Sequence, residues 1–192
     1  MLQLPEAERR ALLELARRAL TEAVLHGNVM EVPSSMGLLA HPAGVFVTLH
    51  NAGRLRGCLG QVEALLPLAE AVAQMAIAVS RADPRFEPVT AGELTGLEIE
   101  ISVLSPMKPV AAEQVEVGLH GLLVRRGAFR GLLLPQVPEQ YQWSRERFLE
   151  ETCVKAGLPR DAWKDPDTQI EAFTAEVFSE AQLRPERQVK GA

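Results

Sequence analysis

Cysteine is nearly absent: Cys58 and Cys153 are the only two in 192 residues, too few for a disulfide framework or a cysteine-rich zinc site. Aromatic residues make up 5% of the chain, with two Trp and one Tyr, so the interleaved aromatics of a single-strand nucleic-acid platform are missing. Positive charge is not in excess. Twenty Lys+Arg face 25 Asp+Glu for a net charge of -5, which argues against a chain that coats RNA or an anionic membrane. No apolar run approaches the ~20 residues that span a bilayer. Met1 to Arg10 is charged and lacks the apolar core of a secretory signal, so the chain reads as cytoplasmic. Glycine-rich phosphate loops, the serine elbow and dinucleotide fingerprints are absent. His26 and His41 show no ligand spacing with each other or with the cysteines, so no metal or cofactor is expected.

What is present is ordinary globular material, 47% hydrophobic and 23% charged. Pro5 to His26 carries Leu12, Leu13, Ala16, Leu20, Ala23 and Val24 on one stripe at helical spacing, with Gly27 as its stop. The loop Asn28 to Gly44 is long enough to be functional or mobile. Pro67 to Ser80 reads as a second helix, and Thr90 with Glu93 as a capping box over a short third element. Leu97, Ile99, Ile101 and Val103 alternate with Glu98, Glu100 and Ser102, the pattern of a half-buried strand. A hairpin is expected around Arg126-Gly127, and Ser144 should cap a helix that ends at Gly157. Thr168 to Phe178 fits strand or helix. Hairpins rather than helix crossovers make the class α+β, with antiparallel sheet and flanking helices. Residues 1–183 read as one domain and 184–192 as a polar tail.

The most informative segment joins Val45–His50 to Arg54–Leu59 through Asn51-Ala52-Gly53. A three-residue turn with Gly last pairs His50 with Arg54, Leu49 with Leu55, Thr48 with Arg56, Val47 with Gly57 and Phe46 with Cys58. Alternation then gives an apolar face of Val45, Val47, Leu49, Leu55 and Leu59. The opposite face carries Thr48, His50, Arg54, Arg56 and Cys58.

On that face Arg56 stands ~7 Å from Cys58, and positive charge lowers a thiol's pKa. Gly57 and Gly60 let a substrate or another backbone approach the strand. Cys58 therefore reads either as a nucleophile or as a small, partly buried packing residue whose glycines serve close contact. His120, flanked by Gly118 and Gly121, reads either as the general base for Cys58 or as a turn histidine bonded to backbone. Asp83, Arg85 and Phe86 read as a cleft wall or as a local ion pair with an apolar anchor. Glu100 is an acid, a base or a counter-charge to Arg56 if its face lines a site, and an ordinary solvated carboxylate otherwise. Cys153, beside Phe148, Leu149 and Ala156, reads as core.

Five segments occur in order: Leu55-Arg56-Gly57-Cys58-Leu59-Gly60, Asp83-Pro84-Arg85-Phe86, Gly118-Leu119-His120-Gly121-Leu122, Leu133-Leu134-Pro135-Gln136-Val137 and Lys155-Ala156-Gly157-Leu158. Together they resemble the AMMECR family, named for the chromosomal region of Alport syndrome, midface hypoplasia and elliptocytosis. The likeness runs from about the first helix to Phe178. Leu59 stands where Ile is usual, and Gln61 where Thr is usual. The resemblance implies two unequal lobes with a cleft between them, the larger lobe containing both termini. It implies no settled reaction. Microbial relatives occur beside Memo-like proteins and a radical S-adenosylmethionine enzyme, which implies partnership in a modification pathway.

Two functions from different classes follow. One is a small enzyme centred on Cys58, Arg56 and His120, with Gly57, Gly60, Asp83, Arg85, Phe86 and Glu100 around a small anionic or acyl-bearing substrate. The other is a binding or adaptor module for a protein, nucleotide or RNA partner, with Arg54, Arg56 and Arg85 as contacts and RNA the weaker branch.

Overall fold

The structure, a computed structural model, describes residues 3–27, 30, 32 and 37–183. The polar tail 184–192 and part of the 28–44 loop lie outside the described residues. The chain divides into two compact units, residues 104–175 forming one and residues up to 103 together with those from 176 onward forming the other. Both are α+β with antiparallel pairing.

The larger unit begins with helix α1, Glu6–His26. Pro5 precedes its first turn, where a missing N–H costs nothing, and Gly27 ends it at φ 68. The predicted stripe is its buried face: Leu12, Leu13, Ala16, Leu20 and Ala23, joined by Ala19. A short 3-10 turn, Gly37–Ala40, leads to strands β1 (Val45–Asn51) and β2 (Arg54–Gln61). Helix α2, Leu68–Val79, follows, and strand β3, Leu97–Leu104, alternates as predicted from Leu97 to Ile101, after which Ser102 and Leu104 are buried as well. Strand order in this sheet is β2-β1-β3, with a fourth strand, Ala175–Ser179, beside β3. Val45, Val47 and Leu49 of β1 and Ile99, Ile101 and Val103 of β3 bury one sheet face against α1 and α2. Burying each such side chain contributes ~1.5–3 kcal/mol before entropy is counted. The other sheet face carries the alternate residues and the chemistry.

The smaller unit is a second sheet of strands β4 (Lys108–Pro109), β5 (Gly121–Arg126), β6 (Phe129–Leu133) and β7 (Gln169–Phe173), in the order β4-β7-β5-β6. The hairpin expected at Arg126-Gly127 joins β5 to β6. Helix α3, Gln136–Gln140, is one turn. Helix α4, Arg145–Lys155, starts where Ser144 Oγ accepts the Arg147 N–H at 3.2 Å. Phe148, Leu149 and Cys153 of α4 pack on Leu122, Val124, Ile170 and Ala172. The ambiguous Thr168–Phe178 segment is strand, broken at Thr174: β7 belongs to this sheet and β8, Ala175–Ser179, is the last strand of the first. A short helix α5, Glu180–Leu183, follows. No helix among the described residues is long and apolar enough to cross a membrane.

Candidate functional site

The β1–β2 hairpin positions the thiol, and its register differs from the sequence expectation in two places. The turn has two residues, Ala52 at φ 49 and Gly53 at φ 75, so Asn51 pairs with Arg54 and His50 with Leu55. Positive φ at both central positions gives a two-residue turn whose twist matches that of the flanking strands. A bulge then leaves Arg56 as an extra residue, and pairing resumes as Leu49 with Gly57, Thr48 with Cys58, Val47 with Leu59 and Phe46 with Gly60. The turn and the bulge each displace the register by one residue. Past the bulge the displacements add to two, so Cys58 keeps the predicted face. Leu55, between them, is displaced once and turns outward, 44% exposed, instead of joining the apolar face.

Cys58 is half-buried, and Thr48 Oγ1 donates to its Sγ at 3.3 Å. Glu100 of β3 pairs with Thr48 from the other side, so thiol, hydroxyl and carboxylate form one row across three strands. On the outer edge of β2, Asp83 Oδ2 accepts the Cys58 N–H at 2.9 Å and Arg85 Nη2 donates to the Cys58 carbonyl at 3.3 Å. Arg85 also grips Asp83 through Nε and Nη2, at 3.0 and 2.7 Å. That guanidinium, with the backbone N–H groups of Cys58 and Arg85, holds the Asp83 carboxyl well below the usual carboxylate range.

The charge beside the sulfur is therefore Arg85 and not Arg56, and it does not make a thiolate. Burial pushes the Cys58 thiol above its ordinary value. The Thr48 hydrogen bond and Arg85 oppose that, while the negative charges of Asp83 and Glu100 add to it. The expectation that neighbouring arginine activates the cysteine is corrected: at neutral pH Cys58 is a protonated thiol.

Arg56 leaves the bulge for the 87–93 loop. It holds Glu93 with two bonds, Nε to Oε1 at 2.7 Å and Nη2 to Oε2 at 3.2 Å, and donates to the Glu87 carbonyl at 3.0 Å. Glu93, which also accepts the Thr90 N–H at 2.8 Å, is lowered to about 2, chiefly by Arg56. The counter-charge to Arg56 is thus Glu93 and not Glu100. Phe86 lies between two guanidinium groups, 5.9 Å from that of Arg56 and 5.5 Å from that of Arg85. Both motif glycines serve packing. A Cβ on Gly57 would stand 3.0 Å from Val79 Cγ2 of α2, and one on Gly60 would stand 2.4 Å from the Phe46 ring.

His120 belongs to the smaller unit, where its Nδ1 accepts the Glu116 N–H at 3.0 Å, the backbone-bonded arrangement of a turn histidine. Cys153 is fully buried in that unit's core, as predicted, and burial raises its thiol too. Among the described residues no group of three His, Cys, Asp or Glu could hold a metal ion. A cavity of about 500 Å³ beside α1, lined by Leu13, Arg17, Leu97 and Glu180, includes none of the predicted site residues. Alternation puts Thr48 on the thiol's face without giving it a role, and sequence reasoning missed two contributors: Glu93 as the partner of Arg56, and Phe46, whose ring covers Gly60. The capping-box pattern marked Glu93 as structured, but nothing local named its partner.

The AMMECR1 family model matches residues 13–178. Protein TK0174 of Thermococcus kodakarensis is 46% identical over 181 residues, covering 88% of each chain. A protein of Methanothermobacter thermautotrophicus is 41% identical, covering 90% of this chain and 94% of its own. Among solved structures, uncharacterized protein PH0010 from Pyrococcus horikoshii superposes with a TM-score of 0.82 at 43% identity, covering 88% of this chain and 90% of that one.

Proposed function

The chain belongs to the AMMECR1 family, and from that premise we propose that it is a thiol-dependent acyl-transfer enzyme whose reacting group is Cys58. One observation carries the reading. In the motif Arg56-Gly57-Cys58-Leu59-Gly60, every residue except the cysteine is committed to structure. Arg56 braces Glu93, Gly57 admits Val79, Leu59 packs on the core and Gly60 admits the Phe46 ring. Cys58 faces away from that core, half-buried, with a hydroxyl on its sulfur.

A resting thiol needs a base, and the row across the sheet contains one. Hydroxyls both donate and accept, so on rotating from its bond to sulfur Thr48 Oγ1 can accept the thiol S–H and turn its own O–H towards Glu100, its cross-strand neighbour on β3. As Sγ bonds to the acyl carbon, that proton leaves for Glu100 and then goes to the departing group as its bond to the carbonyl breaks. Water next adds to the thioester, gives up a proton along the same row and releases a carboxylic acid, while the proton returns to sulfur. Atoms and charges balance without a cofactor.

Arg56 and Arg85 are each held by a carboxylate, which favours an acyl-bearing substrate over an anionic one. The Phe46 ring, which lies over Gly60 on the same sheet face as Cys58, favours an apolar acyl group. The test is p-nitrophenyl esters of aliphatic and aromatic acids with the full chain. A mass increase of one acyl group on Cys58, absent in Cys58→Ser together with the hydrolysis, is expected. Hydrolysis that survives Cys58→Ser, or no acyl adduct with any ester, overturns the proposal.

A further inference from the structure

We propose that Asp83 and Arg85 are positioning residues for Cys58: the two side chains act as one clamp that takes the place of a missing neighbouring strand at that single residue. The inference deepens the acyl-transfer reading and rests on it. Strand β2 is the edge of its sheet. In an antiparallel pair a residue's N–H and C=O point to the same side, and both of those of Cys58 point outward. Edge groups of this kind ordinarily go to water or to another chain. Here the N–H goes to the Asp83 carboxylate at 2.9 Å and the C=O to the Arg85 guanidinium at 3.3 Å.

Clamp and target fit for identifiable reasons. Asp83 is buried, its side chain 2% exposed, and Arg85 locks both carboxylate oxygens. Pro84 between them fixes its own φ and restricts the backbone of Asp83 before it. The Arg85 N–H also returns to Asp83 Oδ1 at 3.1 Å, closing the loop on itself. The bulge at Arg56 interrupts regular pairing two residues before the cysteine, so the strand there gains most from an outside brace. Because Cys58 bonds outward, it and Thr48 form the non-hydrogen-bonded kind of pair, in which side chains approach most closely. The hydroxyl–sulfur contact depends on that geometry. The clamp also brings two opposite charges near the sulfur, Arg85 favouring its thiolate and Asp83 opposing it.

The test is the pH profile of Cys58 alkylation by iodoacetamide in the full chain, followed by mass spectrometry, with amide hydrogen exchange at Cys58 as a second readout. Arg85→Gln leaves Asp83 as a bare negative charge and moves the midpoint up by about half a pH unit or more; Asp83→Asn leaves Arg85 and moves it down. Arg85→Lys returns the midpoint towards that of the parent protein. Exchange of the Cys58 amide rises at least tenfold in Asp83→Asn. Midpoints that stay put in Arg85→Gln, or that move the same way in both variants, overturn the clamp. Should Asp83→Asn not fold, the Arg85→Gln and Arg85→Lys pair decides alone. Alkylation needs no turnover, so inert esters would remove the acyl-transfer reading without touching this one, and an unmoved midpoint would do the reverse.

Discussion

The Thr48 hydroxyl donates to the Cys58 sulfur at 3.3 Å across the β1–β2 pair, and it is the largest of the influences that favour ionisation of that thiol. Replacing Thr48 by Val keeps the β-branched shape that a strand accepts and deletes the donor. The Cys58 alkylation midpoint should rise in Thr48→Val and stay near the parent value in Thr48→Ser. A hydrogen bond to a charged group contributes about 1.5–3 kcal/mol, so a shift of about one pH unit is expected. Equal midpoints in the Val and Ser variants would show that the contact does not reach the chemistry.

The Arg56–Glu93 pair fastens β2 to the 87–93 loop, and its pH dependence has a definite sign. Glu93 sits at about 2 in the folded chain, below its ordinary 4.5. A depressed carboxyl stabilises the fold above its unfolded value and loses that contribution as pH falls through the folded one. Glu93→Gln should therefore cost about 1–2 kcal/mol in urea unfolding at neutral pH, allowing for partial exposure. The gap between variant and parent should close between about pH 4.5 and pH 2, the window in which the parent's own carboxylate protonates. A gap of constant size down to the acid limit would mean that the charge is not what binds the loop.

These contacts mark where the sequence is legible and where it is not. The buried stripe of α1, the alternation in β3, the Ser144 cap and the Arg126-Gly127 hairpin come from periodicity and local turn chemistry, which need only neighbours in sequence. The sequence motifs single out Cys58, Asp83, Arg85 and Phe86, which the structure places in contact. The Asp83–Arg85 pair is local, but the links that tie β2 to its surroundings join residues 25 or more positions apart, such as Cys58 with Asp83 and Arg56 with Glu93, and no local pattern specifies those. The hairpin shows the opposite limit. Asn51-Ala52-Gly53 accommodates a two- or a three-residue turn, and a bulge leaves no mark in composition. Alternation counted from a three-residue turn puts Leu55 inward, yet its position between turn and bulge decides its face.

The register itself is testable through three small substitutions. A methyl on Gly60 meets the Phe46 ring at 2.4 Å and the Val45 carbonyl at 2.5 Å, and the second is backbone that cannot swing aside. On Gly57 it meets Val79 Cγ2 at 3.0 Å, a side chain with some freedom, and the Val79 carbonyl only at 3.3 Å, a milder backbone contact than that at Gly60. Gly60→Ala should cost about 2–3 kcal/mol and Gly57→Ala about 1 kcal/mol, in the range of overpacking a tight site. Leu55→Ser, on the exposed side, should stay within about 0.5 kcal/mol. With a three-residue turn and no bulge the last would be a buried polar substitution, so a large loss in Leu55→Ser would reject the observed pairing.

The two cysteines separate by access and by charge, and one titration reads both. Cys153 is fully buried among Phe148, Leu149 and Ala156, and only unfolding should expose it to iodoacetamide. Cys58 is half-buried, so the native chain should be labelled there alone. Because the thiolate is the reacting form and the Cys58 value is raised, its rate should be slow near neutrality. It should climb about tenfold per pH unit until the thiol itself titrates, above the ordinary 9.0. A plateau beginning near pH 7 would mean an activated thiolate and would contradict the burial and the two carboxylates around the sulfur. Labelling of Cys153 at the same rate in the native chain would mean that the smaller unit opens as readily as Cys58 reacts.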